Sequence, residues 1–124
     1  MSKRRVLIVD DDLNLSRLAG MILENSGKYE VMIVNQSTRA LAAAVQFHAE
    51  VMLLDVDMPG KGGGDLAREA ALDSRLRDVP ILFLTGLLRS DETPNGPIER
   101  GGMMFLSKPV DPAQLLTSVA SLAN

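Results

Sequence analysis

Five short apolar runs punctuate this chain, and each stops at polar residues. Val6-Leu7-Ile8-Val9 is the first, and it ends at three consecutive aspartates, Asp10-Asp11-Asp12. An unbroken run of this kind is the pattern of a strand buried on both faces. Tyr29 to Val34 predicts a second strand. Val51-Met52-Leu53-Leu54 predicts a third, ending on Asp55, and Val79 to Leu84 a fourth, ending at Thr85-Gly86. Met103 to Leu106 predicts a fifth, ending at Ser107-Lys108-Pro109.

Helical periodicity fills the intervals. Leu15, Leu18 and Ile22 form one stripe of a first helix, which closes near Ser26-Gly27 with Gly27 as the stop. Ser37 is placed to cap a second helix, Arg39 to about Phe47, carrying Leu41 and Val45. Gly60 to Gly64 predicts a loop, followed by a short helix from about Asp65 to Leu72. The last helix has Asp111 as cap, Pro112 at its first position and Gln114 at capping-box spacing, with Leu115, Leu116, Val119 and Leu122 as its buried stripe. Between strands four and five, Leu87 to Gly102 contains Pro94-Asn95-Gly96-Pro97, which disfavours a regular helix. A fourth helix that is irregular or short is expected there.

Alternating strands and helices predict an α/β fold with βαβ units and a doubly wound parallel sheet. Right-handed crossovers put helices on both faces. The 124 residues carry no repeat or linker and read as one domain, residues 1–124. With three Phe, one Tyr and no Trp, the core is predicted to be aliphatic. A formal charge of −3 argues against a nucleic-acid-binding surface. No Cys is present, which excludes disulfides and thiolate metal sites. No apolar run is long enough to span a bilayer, and no signal-peptide pattern follows Lys3-Arg4-Arg5, so a cytoplasmic protein is expected.

In doubly wound sheets, ligands bind beyond the carboxyl ends of the strands. Asp10, Asp11, Asp55, Thr85 and Lys108 all follow apolar strands directly and therefore converge there. Three gathered carboxylates repel unless a cation joins them, and Mg2+ suits oxygen ligands completed by water and phosphate. An ionised Asp55 needs no base in order to attack phosphorus. Lys108 and Thr85 supply an ammonium and a hydroxyl for phosphoryl oxygens.

These motifs, in this order, resemble the receiver domain of two-component response regulators over essentially the whole chain. Val9-Asp10-Asp11-Asp12 is similar to the family's acidic pair, and Leu54-Asp55-Val56-Asp57-Met58-Pro59 to its phosphoacceptor signature. Leu84-Thr85-Gly86 and Ser107-Lys108-Pro109 are similar to its switch-threonine and lysine motifs. Phe105 falls where the family carries an aromatic switch. The resemblance implies a five-stranded, flavodoxin-like sheet in the order 2-1-3-4-5. It implies that Asp55 accepts a phosphoryl group from a partner phosphohistidine, on a sensor histidine kinase or a phosphotransfer protein. Mg2+ would be held by Asp11, Asp55 and the backbone carbonyl of Asp57, with Asp10 acting through water. Thr85 and Lys108 would hold phosphoryl oxygens, and the Lys108-Pro109 bond would be cis. The result would be a bacterial signalling switch acting on a partner or an attached output domain, not an enzyme with turnover.

Plainer roles compete. Asp12 is better read as a helix-start charge, the Asp57 side chain as solvated, and Phe105 as a core aromatic as readily as a switch. The cluster Gly60, Gly62, Gly63, Gly64 matches neither phosphate-loop nor dinucleotide spacing and reads as a loose loop. His48, the single histidine, reads as a surface residue, and the seven Met as core filler. Two other functions fit some of the residues. A haloacid-dehalogenase-type phosphatase would use an Asp-x-Asp, but Leu13 and Met58 stand where Thr or Val belongs and there is no room for a cap domain. A phosphorylation-independent docking domain is the other; the intact Asp55, Thr85 and Lys108 oppose it.

Overall fold

The computed structural model describes residues 3–86, 98–100 and 103–123. Its strands are β1 (Arg4–Val9), β2 (Tyr29–Val34), β3 (Val51–Asp55), β4 (Ile81–Thr85), β5 (Ile98–Arg100) and β6 (Met103–Ser107). Its helices are α1 (Leu13–Asn25), α2 (Ala40–Phe47), α3 (Gly63–Ala71) and α4 (Pro112–Leu122), with a 3-10 turn at Ser37–Arg39 before α2. The sheet order is β2-β1-β3-β4-β6-β5. Its five parallel strands therefore run 2-1-3-4-5, as expected for a doubly wound sheet with helices on both faces.

Alternation along the strands sorts the core into two layers. Val6, Ile8, Val51, Leu53, Leu82, Leu84 and Leu106 pack with α1 and α4. Leu7, Val9, Met52, Leu54 and Phe83 face the other way, onto α2 and α3. All five residues of β3 are buried, because this central strand is covered on both faces.

Several local expectations are corrected. Strand β5 is an addition, antiparallel to β6, with Ile98 opposite Phe105 and Arg100 opposite Met103. The Pro94–Pro97 break and the predicted irregular fourth helix lie outside the described residues. Leu18 faces outward at 49 % exposure. The core face of α1 is instead Ser16, Ala19, Gly20 and Leu23. Small residues let that helix close on the sheet: a Cβ on Gly20 would stand 3.2 Å from Ile33 Cδ1. Leu15 and Ile22 pack at the edge of the same core. Ser37 does not cap α2; it is buried, and its hydroxyl donates to the Pro59 carbonyl at 3.4 Å. Met52 is core, whereas Met21, Met32 and Met103 are exposed.

The caps behave as the sequence predicts where a side chain can reach. Asp12 accepts from the Leu15 N–H at 3.1 Å, and Asp111 accepts from the Gln114 N–H at 2.9 Å with Pro112 in the first turn. His48 is exposed and ends α2 in the left-handed region, φ 56°. At the opposite end of the sheet from the strand carboxyl ends, Glu50 accepts from the Arg4 guanidinium at 2.7 Å and from the Arg5 N–H at 3.2 Å. Those contacts hold its pKa below the usual carboxylate value, the Arg4 hydrogen bond foremost.

Candidate functional site

Sheet register builds the site. Val9 is level with Leu54, so the next residues, Asp10 and Asp55, emerge side by side. Asp55 is level with Leu84, and Thr85 with Ser107, which sets Thr85 one step and Lys108 two steps further out. Backbone bonds carry the alignment past the strand ends: Val56 N–H donates to Leu84 O at 3.0 Å, and Lys108 N–H to Thr85 O at 2.9 Å. The Lys108-Pro109 peptide is cis.

The side chains meet as this register dictates. Asp10, Asp11 and Asp55 each offer a carboxylate oxygen, and these oxygens lie within 4.8 Å of one another. Asp10 and Asp55 are buried and Asp11 is exposed. Lys108 Nζ stands 3.0 Å from Asp55 Oδ1 and 3.2 Å from Asp10 Oδ2. Asp55 Oδ1 also accepts from the Asp57 N–H at 3.2 Å, and Asp10 Oδ1 from the Asp12 N–H at 2.9 Å. The Asp57 side chain is exposed.

Electrostatics shows what kind of ligand this set suits. At an effective dielectric near 20, two carboxylates at such separations repel by roughly 3–4 kcal/mol. Burial, with Asp55 adding to it, raises the pKa of Asp10 despite the Asp12 and Lys108 contacts. Burial also works against the Lys108 ammonium, but the Asp55 hydrogen bond and the Asp10 charge outweigh it, so its pKa is raised. Three carboxylates against one ammonium leave two negative charges. Asp10 Oδ2, fully buried, has Lys108 at ion-pair distance but no hydrogen bond of proper geometry. An all-oxygen donor set of that charge, with an orphaned buried oxygen, fits a hard divalent cation such as Mg2+.

Phe105 stands on β6, three residues before Lys108. It is half-buried and stacks on Phe83 with ring centroids 5.1 Å apart, on the α2–α3 side of the sheet. Thr85 is buried beside the cluster.

Geometry and sequence comparison point the same way. Residues 6–120 match the family model described as the response regulator receiver domain. The chain belongs to that family. It is 31 % identical over 117 residues to the DNA-binding response regulator MtrA of Mycobacterium tuberculosis, covering 94 % of this chain and 49 % of MtrA. It is 32 % identical over 118 residues to the DNA-binding dual master transcriptional regulator RpaA of a Synechocystis species, covering 95 % and 48 %. The receiver thus spans about half the length of the curated relatives it matches. Among solved structures, Vibrio cholerae chemotaxis protein CheY4 superposes with a TM-score of 0.82 at 26 % identity, covering 98 % of this chain and 99 % of that one. A CheY-like receiver from Methanospirillum hungatei gives 0.78 at 28 %, covering 97 % and 93 %. Among the described residues, no helix is long and apolar enough to cross a membrane.

Three features of the site escaped the sequence reading. Gly62 and Gly63 are not loose: a Cβ on either would stand 2.6 Å from a backbone oxygen, of Val56 and Asp55 respectively. Of the three consecutive glycines, Gly64 alone has open space at its Cβ position. Asn35 donates from Nδ2 to the Asp10 carbonyl at 2.7 Å and to Ser16 Oγ at 3.2 Å. The signal available for the glycines was their adjacency, seven and eight residues past the end of β3; for Asn35 there was none.

Proposed function

We propose that residues 1–124 act as one receiver unit that takes a phosphoryl group on Asp55 in a two-component phosphorelay. The observation that carries this reading is the contact of a buried carboxylate, Asp55, with the Lys108 ammonium inside a cluster that is two negative charges in excess. Asp11, Asp55 and the Asp57 carbonyl would hold Mg2+, with Asp10 acting through water, and the bound ion would neutralise charge on phosphoryl oxygens. Asp55 is the nucleophile: its oxygen bonds to phosphorus as the phosphorus–nitrogen bond of a donor phosphohistidine breaks, and the imidazole nitrogen keeps the electron pair. Burial on the β3 end keeps that carboxylate in one orientation and limits the approach of water.

Lys108 then exchanges its bond to Asp55 Oδ1 for phosphoryl oxygens, and Thr85 offers its hydroxyl to the same group. Movement of Thr85 loosens the packing next to Phe105, which is paired through β4 and β6 to Phe83. Phosphorylation thereby shifts a population between two arrangements of the β4–β6 region, in proportion to its differential affinity for them. The donor is a sensor histidine kinase or phosphotransfer protein, the location cytoplasmic, and the output a partner or attached domain. The unit promotes its own phosphorylation and dephosphorylation and does not turn over a separate substrate.

Intact-mass spectrometry with Mg2+ and a small acyl phosphate tests this, beside Asp55→Ala. One phosphoryl gained by the native chain, dependent on Mg2+ and lost in the variant, is the expected result. A folded native chain that gains nothing would leave a phosphorylation-independent docking domain as the better reading; steady release of phosphate from an ester would favour a phosphatase.

A further inference from the structure

The end of edge strand β2 grips the acidic loop from both sides of one residue. Asp10 N–H donates to Val34 O at 3.2 Å, and the Asp10 carbonyl accepts from Asn35 Nδ2 at 2.7 Å. The same amide reaches Ser16 Oγ at 3.2 Å, and Ser16, buried in the first turn of α1, donates in turn to Leu13 O at 3.1 Å. One side chain therefore ties the loop at its strand end and at its helix start, with Asp11 and Asp12 between the two ties. Two residues on, Ser37 reaches Pro59 in the loop that follows Asp55.

We propose that Asn35 is a positioning residue for the divalent-cation site, holding the 10–12 backbone in the geometry that presents Asp11 and Asp10. This inference rests on the receiver reading above. The physical need is plain. Before a cation arrives, the carboxylates of Asp10, Asp11 and Asp55 repel, and the exposed Asp11 is the one free to swing away. Asp10 is held by its strand and by Lys108; the backbone carrying Asp11 is restrained from outside by Asn35. An amide suits the task because Nδ2 offers two hydrogens, one for each tie, and carries no charge to disturb the cation. Outer partners that orient first-shell ligands act in this way at metal sites generally.

Isothermal titration calorimetry with Mg2+ on the native chain, Asn35→Ala, Asn35→Leu and Gln36→Ala provides the test. Leu keeps the branched shape of Asn without its donors, Ala removes the side chain, and Gln36 is the exposed neighbour that controls for disturbance of the segment. Both Asn35 variants should bind Mg2+ at least about tenfold more weakly than native, with Gln36→Ala within about twofold of native. Acyl-phosphate labelling should need correspondingly more Mg2+ in the Asn35 variants and reach a similar rate at saturation. Folded Asn35 variants with native Mg2+ affinity, or with a lowered saturating rate and no shift in Mg2+ demand, would overturn the positioning role while leaving the receiver reading intact. Absence of Mg2+ binding by the native chain would overturn both.

Discussion

The three consecutive glycines at the start of α3, Gly62 as its N-cap and Gly63 and Gly64 in its first turn, make a stringent prediction, because adjacent positions should respond with opposite signs. Gly64 lies in the first turn of α3 with nothing within 4 Å of a new Cβ. Ala there gains helix propensity and restricts the unfolded chain, a stabilisation of about 0.5–1 kcal/mol. At Gly63 a Cβ would meet Asp55 O at 2.6 Å, Asp55 C at 3.2 Å and Leu54 Cβ at 3.3 Å. None of these is the yielding end of a long side chain, so the β3–α3 connection must move. Overpacking of this kind costs about 1–3 kcal/mol, less the small propensity gain. Gly62→Ala meets the Val56 carbonyl at 2.6 Å and should cost a similar amount. For a domain of this size roughly 4 °C in Tm accompanies each kcal/mol. Gly64→Ala should therefore melt about 2–4 °C above native, and Gly62→Ala and Gly63→Ala about 2–10 °C below it. Differential scanning calorimetry without metal decides the matter. Equal Tm shifts at all three positions would refute the close-packing argument and restore the loose loop.

Two further outcomes follow from the charged groups. Glu50 has a folded pKa below its unfolded one, so its contribution is present above the ordinary carboxylate pKa and lost as pH falls through the lower folded value. With both Arg partners partly exposed, Glu50→Gln should cost only about 0.5 kcal/mol at neutral pH in urea titrations, and the difference should vanish in acid; a constant difference would contradict the pairing. Asp10 has the opposite sign: burial raises its folded pKa, so ionising it opposes folding, increasingly as pH rises through that value. Metal-free Asp10→Asn should be more stable than native at neutral pH, by about 1 kcal/mol, and should gain less from added Mg2+; a less stable metal-free variant would show that the Lys108 pairing outweighs the repulsion.

The parallel sheet was legible because its strands are short, apolar and cut off by charge. Val6–Val9 before Asp10 and Val51–Leu54 before Asp55 locate strand ends, and parallel pairing brings such ends together. The caps at Asp12 and Asp111 were legible because capping is local. The orientation of α1 was not. Choosing Leu18 as a core residue follows apolar size, whereas the helix turns its smallest residues, Ser16, Ala19 and Gly20, to the sheet to approach it closely. Strand β5 was masked by the prolines before it, although Gly101-Gly102 between Arg100 and Met103 is a hairpin signal in its own right. Asn35 and the close approach of Gly62 and Gly63 depend on contacts between segments distant in sequence, and residue type alone does not reveal them.

The central claim is that Asp55 is the residue phosphorylated. Reduction of the acyl-phosphate-treated chain with borohydride, followed by peptide mapping, tests it most directly, because only an aspartyl phosphate is converted to homoserine. The account predicts homoserine at position 55 alone, dependent on Mg2+ and strongly reduced in Lys108→Ala. Homoserine at Asp10, Asp11 or Asp57 instead, or label that survives at Ser or Thr, would contradict it.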